Sequence, residues 1–61
     1  MDKKFINGLA NQAMNEFENI KTLREEFINC GAPKKHIDTL KGSMRTFLDI
    51  YFSLTDKNVE E

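Results

Sequence analysis

Cysteine occurs once in this chain, at Cys30, and histidine once, at His36. No disulfide can close within the chain, and a structural metal finds few soft ligands. Tryptophan is absent, proline is confined to Pro33, and glycine to Gly8, Gly31 and Gly42. Glycines so widely spaced form no phosphate-cradling loop. No apolar run approaches the roughly 18 residues a membrane span needs. After Lys3 and Lys4 the apolar residues are interrupted by Asn7, Gly8, Asn11 and Gln12, which is not the pattern of a secretory leader. A lone thiol fits a reducing compartment, so the expectation is a cytoplasmic protein with no cofactor and no membrane partner. Small size and simple composition suit a bacterial or phage regulator.

The chain also lacks length. At 61 residues it is read as one domain, 1–61. Chains of this size bury only about 60% of the surface their unfolded form exposes. Conformational entropy nearly cancels the apolar gain, and a disulfide, a metal or self-association normally tips the balance. With the first two absent, self-association is expected.

What is present is helical periodicity. Ile37, Leu40, Met44, Phe47, Tyr51 and Leu54 recur at steps of three and four, which returns each to one side of a helix. A strand needs a period of two, which this run lacks. Upstream, Ile6, Leu9, Ala13, Ile20, Leu23 and Phe27 form a second stripe, widened by Ala10 and Phe17, with Glu16 in a slot where an apolar residue is expected. Asp2 is a candidate cap for a helix starting at Lys3, although Asn7-Gly8 is a competing turn signal. Gly31 can close the first helix in the left-handed conformation, and Pro33 suits the first position of the next, with Ala32 as a poor cap. The predicted fold is all-α: helix 1 over about 3–30, a turn at 31–33, helix 2 over about 33–55, and a frayed polar tail at 56–61. Helix 1 is expected to be the longer by about a turn. The break is short, so the helices are predicted to fold back as an antiparallel hairpin; the alternative is one long kinked helix.

Apolar residues remain after each helix has used one stripe. Phe5, Met14 and Ile28 lie off the centre of the first stripe, and Leu48, Ile50 and Phe52 off the second. These six are candidate interface residues. Two hairpins docked over them would form a four-helix bundle.

Catalytic chemistry finds little support. Cys30 and His36 are six residues apart across the turn, with no third group to complete a nucleophilic site. Cys30 is expected to be a small buried residue closing the hairpin end, and His36 a surface residue. Glu16 and Glu18, two apart, diverge, and the Glu-x-x-His spacing of bundle di-iron sites is missing. No catalytic, cofactor-binding or metal-binding residue is assigned. Charge is uneven: residues 31–48 carry +3, from Lys34, Lys35, Lys41 and Arg45 against Asp38, while residues 49–61 carry -3. Four cations in a chain of net charge -1 are few for a nucleic-acid binder, whose affinity rests on phosphate contacts, and no nucleic-acid partner is expected. A reader of helix-turn-helix type would also want a third helix.

From Ile20 to Tyr51, through Leu23-Arg24 and the short turn, the layout resembles the small aspartyl-phosphate phosphatases of sporulating bacteria. The resemblance implies a helical hairpin that docks on phosphorylated response regulators. The family signature Ser-Gln-x-Leu-Asp would fall on Lys41-Gly42-Ser43-Met44-Arg45, where its serine, glutamine and aspartate are missing and Arg45 reverses the charge of the acid. The activity is therefore not carried over. The expected function is a small noncatalytic regulator or adaptor acting through helix-mediated protein binding as a homodimer. The alternatives are a small phosphatase-like enzyme and, behind it, a nucleic-acid binder using residues 34–45.

Overall fold

Two amphipathic stripes separated by a glycine and a proline fold here as a two-helix antiparallel hairpin. The computed structural model describes the backbone of residues 2–60 and the side-chain surroundings of residues 2–55. Helix α1 spans Lys3–Asn29 and helix α2 spans Lys34–Glu60, and they pack along each other. No strand occurs among the described residues. The pair forms a rod 45 × 14 × 13 Å, as expected for two helices about 40 Å long laid side by side.

The start of α1 is set locally. Asp2 has extended backbone (φ -64°, ψ 130°), its Oδ1 accepts from the Lys4 N–H at 3.2 Å, and its carbonyl accepts from the Ile6 N–H at 3.0 Å. Two groups of one residue thus satisfy N–H donors that have no partner within the helix. The turn signal of Asn7-Gly8 is overridden, and both residues are helical.

The end of α1 is a Schellman closure. Cys30 is the cap, Gly31 turns left-handed at φ 78°, its N–H donates to the Ile28 carbonyl at 3.2 Å, and the Ala32 N–H donates to the Phe27 carbonyl at 3.0 Å. An L side chain at Gly31 would set its Cβ against the following carbonyl. Pro33 sits one position earlier in α2 than expected. Lys34 is the first helical residue, and the Pro33 carbonyl accepts from the His36 and Ile37 N–H groups at 3.0 and 3.3 Å. Pro33 is therefore the cap itself rather than the first residue inside.

Helix α2 continues through Glu60, past the end expected near residue 55; the backbone of 56–60 is helical where a frayed tail was predicted, and Glu61 lies outside the described residues. The two helices are equal at 27 residues each, so α1 does not overhang. Helix formers such as Leu54, Lys57 and Glu60 carry the pattern onward, with neither glycine nor proline after Gly42 to stop it.

On α2 the inward stripe is the one read from the sequence: Ile37, Leu40, Met44, Phe47, Tyr51 and Leu54 are all half-buried. On α1 the stripe is rotated. Ile6, Ala10 and Ala13 are buried, Ala10 to 3% exposure, and Phe17, Ile20, Arg24 and Phe27 are half-buried. These seven recur at alternating steps of four and three, the heptad pattern of a close helix pair. Leu9 and Leu23, expected inside, are 36% and 40% exposed. Exchanging Leu9, Glu16 and Leu23 for Ala10, Phe17 and Arg24 has a physical reason. It half-buries the Phe17 ring, keeps the Glu16 carboxylate in water, and sets Ala10 beside Ala13 as a second small residue at which the helices can approach closely. Burying an unpaired carboxylate costs far more than half-burying an arginine, whose stem is apolar and whose head reaches solvent.

Candidate protein-binding face

Rotation of α1 leaves an apolar depression on one broad side of the hairpin. Leu9, Gln12, Ala13 and Glu16 of α1 face Phe47, Ile50 and Leu54 of α2 across an open groove of about 430 Å³. Leu9 and Ile50 stand exposed on its rims. Glu16 closes one end, its Oε1 accepting from the Asn19 side chain at 3.4 Å. Phe5 lies four residues before Leu9, and Leu23 fourteen residues after it, so both belong to the same flank of α1. Four exposed large apolar side chains, Phe5, Leu9, Leu23 and Ile50, therefore lie on one side of the molecule.

The six interface candidates do not form one surface. Ile50 and Phe52 are two residues apart, about 200° around a helix, and look in opposite directions. Phe5 and Ile50 belong to the groove side. Met14 and Ile28, two heptads apart, occupy the other flank of α1, while Leu48 and Phe52, one turn apart, occupy the other flank of α2. Met14 and Leu48 are half-buried there, whereas Ile28 and Phe52 are exposed. The Phe52 ring meets the neighbouring Tyr51 ring edge-on, centroids 5.8 Å apart at 66°. Leu9 and Leu23 are the groove-side residues that sequence reasoning assigned to the core. The available signal was the pair Ala10 and Ala13, small residues at a spacing that marks a close seam.

The basic candidates are all exposed. Lys34, Lys41 and Arg45 are related by i, i+7 and i+11 and share a stripe on α2; Lys35 points about 100° away. Asp38 is i+4 from Lys34 and falls within the stripe, so the four cations make no uninterrupted patch. At the turn, Cys30 is a free thiol and exposed, not buried as expected, with Sγ 3.4 Å from the Phe27 carbonyl. Cys30 stands in the register of Leu9, Glu16 and Leu23, at seven-residue steps, which the rotation of α1 turns outward. His36 is exposed as well.

Among the described residues no group of three or more His, Cys, Asp or Glu side chains is placed to hold a metal ion. No helix among the described residues is long and apolar enough to cross a membrane. Comparison with protein-family models, with curated proteins and with solved structures finds no match. Fold and surface together define a small all-helical module with an apolar groove on one side.

Proposed function

We propose that the chain is a small noncatalytic regulator or adaptor that works through helix-mediated protein binding in the cytoplasm, and that its basic state is a homodimer in which two hairpins form a four-helix bundle. The observation that carries this reading is the exposed apolar side around the groove, set against three buried core residues among the described ones, Ile6, Ala10 and Ala13. Area bears on it too. The chain exposes 4741 Å² at a mass of 7.1 kDa, where a globular monomer of that mass exposes roughly 4,100 Å². The excess, roughly 640 Å², is what a thin rod exposes beyond a globular shape, and it falls somewhat short of the roughly 800 Å² each partner buries in a standard interface. The opposite side, with Ile28 and Phe52 exposed, is then free for an unlike protein, which is what an adaptor needs.

Sedimentation equilibrium and circular dichroism over a concentration series test this. A dimer whose melting temperature rises with protein concentration is expected, because assembly stabilises only the folded form. A monomer with concentration-independent melting would remove the proposal.

A further inference from the structure

We propose that the side away from the groove is the docking face for an unlike protein, and that the segment it takes is an acidic amphipathic helix. This rests on the adaptor reading above and adds the face and the chemistry of the partner.

The two sides of the hairpin differ in charge. Heptad register puts Leu9, Glu16, Leu23 and Glu26 of α1 with Ile50 of α2 on the groove side. Among residues 2–55 that side carries no lysine or arginine. The other side holds five of the nine cations, Lys4, Lys21, Lys34, Lys41 and Arg45, against three carboxylates, Glu18, Glu25 and Asp38, net +2.

The antiparallel turn sets the order along this side. Residues equally far from Gly31 lie at one level: Met14 with Leu48, Lys21 with Lys41, and Ile28 with Lys34. Arg45 follows Lys41 by one turn of α2. Lys21, Lys41 and Arg45, all exposed, therefore gather beside the Met14–Leu48 pair. Phe52 borders that pair toward the open end, 53% exposed, and Ile28 closes the strip near the turn, 47% exposed. By the same count Phe52 stands at the level of Ala10, so the strip covers about 18 residues of helix, or about 27 Å.

These properties define what covers it. Met14 and Leu48 flank the furrow between the helices, where a third helix touches both. The strip is as long as about five turns of such a helix. A purely apolar partner would desolvate Lys21, Lys41 and Arg45 without a counter-charge, so the partner brings carboxylates beside its apolar stripe. A second copy does not suit this face, because the three cations sit close to the middle of the rod and meet their own copies in either direction of docking. A nucleic-acid backbone offers Met14, Leu48 and Phe52 no apolar contact. An anionic lipid surface sets its charge against Glu18, Glu25 and Asp38 as well, whereas a helix can place its carboxylates opposite the cations alone.

The test uses a synthetic peptide of about 18 residues, with a leucine stripe bordered by glutamates, titrated with the full chain and read by fluorescence anisotropy. The controls carry glutamine or lysine in place of the glutamates. The glutamate peptide is expected to bind at least about tenfold more tightly than either, by an amount that shrinks as salt rises. Lys41→Glu with Arg45→Glu is expected to invert the preference toward the lysine peptide, with helicity by circular dichroism unchanged. Phe52→Asp is expected to weaken the glutamate peptide about tenfold, and Ile50→Asp, on the groove side, to leave it unchanged. Should Phe52→Asp fail to fold, the inversion still decides. No binding of the glutamate peptide, equal binding of all three peptides, or loss with Ile50→Asp but not with Phe52→Asp overturns the proposal. Tighter binding to phosphatidylserine vesicles or to duplex DNA than to the glutamate peptide also overturns it, and assigns the face to lipid or to nucleic acid. Sedimentation reads the homodimer separately: a chain that is monomeric at every concentration yet binds the glutamate peptide loses the dimer and keeps this face.

Discussion

At the scale of single residues, two positions carry strain that the fold does not require. Gly42 lies inside α2, exposed, and a methyl group added there would meet no atom within 4 Å. Glycine in a helix interior costs up to about 1 kcal/mol relative to alanine. No other part of the hairpin approaches this position, so Gly42 is strain tolerated on a wet face. Gly42→Ala should raise stability by up to about 1 kcal/mol in urea denaturation; a loss of stability would mean that a second chain packs against this position. Arg24 is the other case. Its stem fills the seam, and its Nε is buried without a hydrogen-bond partner. A buried unsatisfied donor costs about 1–3 kcal/mol. Arg24→Met keeps the stem and removes the donor, and is expected to stabilise the hairpin by about 1 kcal/mol. Equal or lower stability would show that the guanidinium head makes compensating contacts in solution.

At the scale of the elements, each helix is long because its interior has few stops, and α1 ends where a specific backbone device ends it. The threonine hydroxyls of α2 are satisfied within the helix: Thr39, Thr46 and Thr55 donate to the carbonyls of Lys35, Gly42 and Tyr51 at 2.9, 3.1 and 3.0 Å. Such back-bonding keeps β-branched polar residues compatible with helix. The turn depends on Gly31. With φ at 78°, Gly31→Ala places a Cβ in the left-handed region at a cost of about 1–2 kcal/mol. That loss should appear in thermal melts, with the hairpin retained, since neither stripe is touched. If Gly31→Ala instead stabilised the protein and extended it to roughly twice its length in small-angle scattering, the closure would be weaker than one continuous helix.

At the scale of the whole molecule, charge and apolar surface act on different questions. In the proposed dimer the exposed apolar side drives association, while the cations Lys21, Lys34, Lys41 and Arg45 lie in register with Met14, Leu48 and Phe52 away from the groove. Raising salt from low to physiological ionic strength screens contacts between exposed charges. An association made through the apolar groove side should therefore change little with salt; a steep loss at physiological salt would show that charge contacts hold it. The same charges bear on nucleic acid. Lys34, Lys41 and Arg45 share a stripe broken by Asp38, and net charge is -1. No specific binding to duplex or single-stranded probes is expected at physiological salt. Tight, steeply salt-dependent binding lost when these cations and Lys35 are neutralised would overturn that expectation.

The sequence alone determined what local rules control. Helix α2's inward stripe followed from steps of three and four, Asp2 capped the first helix because an aspartate can accept from its first turn, and Gly31 closed it because glycine tolerates positive φ. These features need no knowledge of the partner helix. The tertiary structure decided the rotation of α1, since two stripes one residue apart, one through Leu9 and Leu23 and one through Ala10 and Phe17, satisfy helical periodicity equally. Packing against α2 selects between them, because small residues at the seam permit close approach and a carboxylate at Glu16 resists burial. The groove exists only because of that choice, which moved Leu9 and Leu23 from the expected core to the surface. The continuation of α2 to Glu60 belongs with the local rules, since no residue from Asp56 onward is one that must stop a helix.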